Sequence, residues 1–465
     1  MPNNISIPKK RKLSVFSLVM LNIIAVDNLR TLPFSAKFGS ALTLYYAICA
    51  LLFFIPVAFI TAELATTWPK NGGIYVWVSK AFGPKFGLLV IWLQWIYNVV
   101  WYPTILTLVA GITAFMFDTQ LAEAPWFIIS IVLCSFWLAT ILNCFGMAIS
   151  IFISTIGSIL GTLLPMIAII FLGASWIKFG HHIEIALQPD TIIHKINSIN
   201  DVALITTILF GLMGLEMSAV HAQDVKNPEK NYPKALVISS ILILLTLILS
   251  SLAIAIVIPN RELNIVTGIM QAFQIFFYTF NLIEFLPIFA FLIIIGALSG
   301  VSTWITGSTK GLFIAAKDGL LPNWLATSNR FGAPVAILIL QAIIVTLLCI
   351  VYVLMPTVAS AYFILTELTI ILALLMYVLM FLSAIVLRHK YPDIVRPYQI
   401  PGGNYGICII ASIGGLTSIS AILLGFIPPS QIEIDNPYIY PIILITGMFL
   451  FCAPIFLMRA KPSKQ

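Results

Sequence analysis

Charge is what this sequence has least of. Asp, Glu, Lys and Arg together make up 9% of its 465 residues, against about 25% in an ordinary soluble chain. No polar block is long enough to fold alone, which excludes a soluble domain. Cysteine is sparse too. Cys49, Cys134, Cys144, Cys349, Cys408 and Cys452 lie scattered in apolar runs. None forms a C-x-x-C pair or a metal-ligand spacing, so they read as small buried hydrophobes rather than a disulfide or zinc framework. Five histidines are present. His181-His182 reads as a solvated loop pair, which alone does not make a metal site, and His221 reads as a structural residue at a helix end. There is no phosphate-binding loop, which excludes ATP-driven pumping. There is no nucleophile–base set or metal cluster of the kind an enzyme needs. Nor is there the repeated filter or charged ring that marks many channels. A membrane-embedded enzyme and a channel are therefore the weaker classes, and no catalytic residue, metal or cofactor is expected.

What the sequence has in abundance is apolar length. It is 60% hydrophobic. Runs of 18 or more apolar residues are candidate membrane helices. About twelve are found, near 15–39, 41–66, 84–116, 125–145, 149–176, 200–222, 234–259, 282–315, 334–355, 359–388, 405–427 and 437–458. The expected fold is an all-α polytopic membrane protein, a single transmembrane domain over 1–465. The run after Lys9-Lys10-Arg11-Lys12 is too long for a signal-peptide core and lacks a cleavage site, so it reads as the first helix. With the N-terminus inside, nineteen of the 24 Lys and Arg fall on the cytoplasmic side; only Arg30, Lys37, Lys178, Lys195 and Arg261 do not. That asymmetry predicts an even number of spans with both termini cytoplasmic. It also accounts for the net charge of +7 without a nucleic-acid partner. Pro69–Ser79 reads as a short cytoplasmic amphipathic or re-entrant helix, and Asp318–Trp324 as an interfacial piece with Trp324 at headgroup level.

Two of these helices are interrupted. In the first, Ile24-Ala25-Val26-Asp27-Asn28-Leu29-Arg30-Thr31-Leu32-Pro33 places two charges and an amide at membrane depth. A central charge costs about 2.5–3.5 kcal/mol on insertion scales, and Pro33 cannot continue a regular helix. Irregular backbone at that depth is tolerated only where it is buried in protein or lines a watery cavity. In the sixth, Phe210-Gly211-Leu212-Met213-Gly214-Leu215-Glu216 carries two glycines and a carboxylate. Glycine costs about 1 kcal/mol in a helix interior. A small-residue packing face would explain the glycines but not Glu216. Two breaks five helices apart predict an inverted repeat of five plus five, about 14–176 and 200–388, with two appended helices at about 405–458.

Pro69–Ser79 with Gly83-Pro84-Lys85-Phe86-Gly87, and Gly211–Glu216 followed by Asn227-Pro228 and Tyr232-Pro233-Lys234-Ala235, resemble amino acid permeases of the amino acid–polyamine–organocation superfamily. Val257–Asn264 with Gly268–Gln271, Ser302–Gly311, and Tyr391-Pro392-Asp393 with Ile400–Gly403 are similar to the bacterial glutamate/GABA antiporters. The resemblance implies a twelve-helix secondary transporter in the bacterial inner membrane, carrying small amino acid substrates. It places the substrate carboxylate on N–H groups of helix one, at Asp27, Asn28 and Leu29, beside Ile24. It places the amino group on helix-six carbonyls around Phe210, Gly211, Met213 and Gly214. Phe210 falls where relatives have a lidding aromatic, Trp304 on a helix-eight tryptophan and Tyr377 on a helix-ten tyrosine. The chain departs from relatives in having Asp27, Asn28 and Arg30 at the first break. It also ends about seven residues after Leu457-Met458, so the C-terminal plug of the acid-resistance antiporter is expected to be missing.

The expected function is amino acid antiport, exchanging an amino acid for another or for its decarboxylated amine. Proton-coupled symport of neutral amino acids is the alternative, and oligomeric state is not legible. Glu216 reads equally as a proton-linked acid or as a brace for the broken backbone. Glu367 reads as a proton carrier or as a partner of Arg30. Glu63, near the cytoplasmic end of helix two, reads as half of a capping or gating salt bridge. Arg30 has two readings. One is a pocket cation, whose planar fork suits a second substrate carboxylate; the other is a partner of Asp27 or Glu367. The paired reading is the favoured expectation, because an unpaired cation is expensive at this depth.

Overall fold

The computed structural model describes residues 13–69, 72–145, 157, 159–185, 204–429 and 438–457, and the side chains of 220–224 and 456–457 are outside the description. The basic run at 9–12, the ends of several expected helices, the His221 side chain and the tail after Leu457 therefore lie outside the description. Among those described, the regular structure is helical throughout.

Among the described residues, nine helices are long and apolar enough to cross a membrane: Gly39–Thr67, Pro84–Phe117, Pro125–Cys144, Ile159–Lys178, Pro228–Val257, Ile283–Lys317, Val335–Leu354, Val358–Lys390 and Gly403–Gly425. The bent pair Val15–Val26 and Leu29–Ala36 makes a tenth, and the shorter apolar helices Ile205–Ala219 and Ile439–Ile455 stand at the remaining two expected positions. In chain order these are spans one to twelve. The polypeptide is an all-α, multi-pass membrane protein with interrupted spans one and six.

Burial follows position in the bundle. The apolar stretch of span three is 83% buried, whereas that of span eleven is 28% buried. Exposed apolar side chains such as Leu416 and Leu423 on span eleven face outward, as a lipid-contacting surface requires. Span three threads the middle, packed against spans eight and ten. Its Pro103 removes one backbone donor, and Thr104 and Thr107 bend their hydroxyls back onto the carbonyls of Trp101 and Pro103. Span two carries a π-helical turn at Ala50–Phe54, immediately before Pro56.

The short helix expected near Pro69–Ser79 forms at Ile74–Phe82, entered through Gly73 (φ 47°) and left through Gly83 (φ 97°). Asn323–Ala326 is a single 3₁₀ turn with Trp324 half exposed. A helix that periodicity alone did not reveal, Gly268–Thr279, lies between spans seven and eight. Its twelve residues are too short to span. Ile269, Met270, Phe273, Phe276 and Phe277 form its buried stripe.

Candidate functional site

The two breaks meet. Span one leaves helical geometry at Asp27 (φ −62°, ψ 120°) and Asn28 (φ −140°, ψ 115°), and the Asn28 side chain caps the Arg30 N–H at 3.0 Å. Pro33 falls in the first turn of the continuing helix Leu32–Ala36, where its missing N–H costs nothing. Span six stops at Gly211 and resumes as the 3₁₀ segment Leu215–Asp224. The turn between them needs Gly214 at φ 121°, and a Cβ there would lie 2.9 Å from the Ala25 carbonyl oxygen. The backbone of one break is thus seated against the other.

Between them is a cavity, with about 770 Å³ of non-atom space when its open mouth is included. Span one contributes Ile24 to Leu29 and Thr31, and span six contributes Phe210, Gly211 and Met213. Spans three and eight complete it with Tyr97, Asn98, Trp101 and Trp304 among others. Trp304 stands edge-on to Tyr97 and Trp101 at 6.3 and 6.0 Å between ring centres. Among the described residues, the N–H groups of Asn28 and Leu29 donate to no protein acceptor, and the carbonyls of Gly211 and Met213 accept from no donor. The Asp27 N–H differs from expectation: it caps the helix by donating to the Ile23 carbonyl at 2.7 Å. Donors on one wall and acceptors on the other suit a zwitterion.

Of the residues anticipated from sequence, Ile24, Asp27, Asn28, Leu29, Phe210, Gly211, Met213 and Trp304 line this cavity, whereas Arg30, Gly214 and Tyr377 stand behind its wall. Tyr377 donates a very short hydrogen bond to Glu216 and accepts the Gly214 N–H at 2.8 Å. It therefore fastens the turn of span six to span ten. Glu367 accepts from Thr206 at 3.0 Å, and its other oxygen packs against Gly425 of span eleven. Asp27 accepts from Thr246 of span seven at 3.0 Å. Glu63 receives Arg388 in a bidentate bond, lies 3.5 Å from Arg396, and accepts the Ile400 N–H at 2.9 Å.

The favoured pairing of Arg30 is corrected by this geometry. Neither Asp27 nor Glu367 forms an ion pair with it. Its guanidinium turns instead to spans three and ten, donating from Nη1 to Thr104 at 2.8 Å and Thr366 at 3.2 Å. It lies over the Phe210 ring at 4.8 Å and the Tyr362 ring at 5.5 Å. These hydroxyl and aromatic partners could not be assigned from sequence, because they come from helices distant along the chain. The span-three wall did leave a signal. Gln94, Asn98, Trp101, Ile105 and Leu108 recur at helical spacing, and the last four of them line the cavity.

A broken-helix bundle with a central cavity defines a secondary transporter. The family model described as amino acid permease matches residues 13–449, and the chain belongs to that family. It is 49% identical over 456 residues to an uncharacterized transporter of Legionella pneumophila, covering 98% of each chain. It is 31% identical to a glutamate/gamma-aminobutyrate antiporter of Lactococcus lactis, over 98% of this chain and 92% of the relative. A probable agmatine/putrescine antiporter of Lactococcus lactis is 23% identical over 97% of this chain and 95% of its own. The protein is a transporter of small amino acid substrates and not an enzyme.

Proposed function

We propose that this protein is an amino acid antiporter of the bacterial inner membrane, with both termini cytoplasmic, working by alternating access. Its substrate is an amino acid, exchanged for another or for the corresponding decarboxylated amine. The observation that carries the reading is the pairing of unsatisfied groups across the cavity. The substrate carboxylate sits against the Asn28 and Leu29 N–H groups. Its ammonium faces the Gly211 and Met213 carbonyls. Phe210 and Trp304 close over the aliphatic part. The likeness to two antiporters supports exchange over one-way uptake. Transport follows from rocking of one helix bundle about the other around the two breaks, with the helices at about 405–458 appended.

A proton-coupled symporter of neutral amino acids is the second reading. It is favoured by Asp27 and Glu367, each of which has one carboxylate oxygen without a protein partner among the described residues. Purified protein in liposomes separates the two. Exchange requires amino acid inside the vesicle and proceeds without a proton gradient. Symport proceeds into empty vesicles and stops when the gradient is collapsed. Uptake that needs neither would overturn both.

A further inference from the structure

Arg30 is 1% exposed and stands just behind the cavity wall. Its sequence neighbours Leu29 and Thr31 line the cavity, as do Trp101 and Ile105 beside its partner Thr104. Phe210 both lies on the guanidinium and belongs to the cavity lining. Nη1 is held by Thr104 and Thr366, and Tyr362 lies beside the guanidinium, while among the described residues Nε and Nη2 have no acceptor in hydrogen-bond geometry. A cation at this depth with no counter-charge is costly. Two open donors of a planar fork are matched geometrically by the two oxygens of a carboxylate, and either donor can also serve a single spherical anion.

We propose that Arg30, Thr104 and Thr366 form a subsite for a small anionic group, joined to the main cavity when the Phe210 ring rotates. The anionic group is either the side-chain carboxylate of an acidic amino acid or a free halide. In the first case the substrate's backbone groups stay on the two helix breaks while its side chain passes Phe210 to reach the guanidinium. In the second, the halide neutralises the empty carrier. The substrate form of the proposal rests on the amino acid exchange reading; the halide form does not.

The test is thermal stability of the detergent-purified protein. It is measured against sodium L-glutamate, L-glutamine, and sodium chloride replacing sodium gluconate, in wild type, Arg30→Gln and Thr366→Val. A charge-assisted hydrogen bond corresponds to roughly tenfold or more in affinity. If the substrate supplies the anion, glutamate stabilises wild type at about tenfold lower concentration than glutamine. Arg30→Gln then removes that preference while glutamine still binds, and Thr366→Val weakens it. If a halide supplies the anion, chloride stabilises wild type without amino acid, and Arg30→Gln abolishes the shift. If Arg30→Gln does not purify, Thr366→Val and Thr104→Val, which keep the charge, must each weaken the same anion. Absence of any anion-dependent shift in wild type, or a shift unchanged in these variants, overturns the subsite. Amino acid exchange with no anion effect leaves the transport reading standing and removes the subsite. A chloride effect at Arg30 with no amino acid binding does the reverse.

Discussion

Tyr377 is bonded on both sides: its hydroxyl donates to Glu216 and accepts from the Gly214 N–H. Replacing it by phenylalanine leaves a buried carboxylate and a buried backbone donor without their partner. An unsatisfied buried group costs about 1–3 kcal/mol, so Tyr377→Phe is expected to lower the melting temperature of the purified protein and to slow exchange. Glu216→Gln keeps an acceptor oxygen for the tyrosine and should be milder. Because the Glu216 carboxylate braces the turn from behind the cavity, the variant is expected to retain the wild-type pH profile of uptake in proteoliposomes. A flattened profile would instead make Glu216 a proton carrier.

At the scale of elements, Glu63 ties three pieces of chain together at one end of the bundle. It joins span two to Arg388 at the end of span ten and to Arg396 and Ile400 in the following loop. Glu63 and Arg388 are both 2% exposed at their side chains. Removing one partner of a buried pair costs about 3–5 kcal/mol, because the other charge is stranded. Glu63→Ala is therefore expected to reduce the monodisperse fraction in size-exclusion chromatography sharply. Arg396→Ala removes the more distant cation and its bonds to the Leu387 and Tyr391 carbonyls but leaves the Glu63–Arg388 pair intact, and should do so less. Another element-scale constraint is the crossing of spans five and eight. A Cβ on Gly161 would lie 2.3 Å from the Gly296 nitrogen and the Leu292 oxygen, which are backbone atoms that cannot turn aside. Gly161→Ala must separate the two helices. Since Gly296 also lines the cavity, loss of substrate binding is expected even in protein that still purifies. Full binding by this variant would show that the crossing can widen freely.

For the whole molecule, the proposed orientation makes a direct prediction. In that orientation the first turn of span seven, which contains Lys230, is expected to face the cytoplasm, and the segment after span seven, which contains Glu262, to face outward. In a variant without the natural cysteines, Glu262→Cys should react with a membrane-impermeant maleimide in intact cells. Lys230→Cys should react only after the membrane is opened. Labelling with the two sides exchanged would invert the topology.

The sequence by itself determined that the chain crosses the membrane many times, which spans are broken, and where the charges gather. Each of these depends on local or one-dimensional quantities: apolar run length against bilayer thickness, a proline or glycine inside a helix, and the count of basic residues between spans. The backbone half of the candidate site was legible for the same reason, since Asn28, Leu29, Gly211 and Met213 sit in the interrupted segments themselves. Tertiary structure alone decided which side chains answer the buried charges. Arg30 turns to Thr104 and Thr366, 74 and 336 residues away, while Asp27 and Glu367 find Thr246 and Thr206. Helical spacing says which residues share a face of one helix. It does not say which face of which other helix lies opposite, and in a low-dielectric interior that choice sets the partner of every charge.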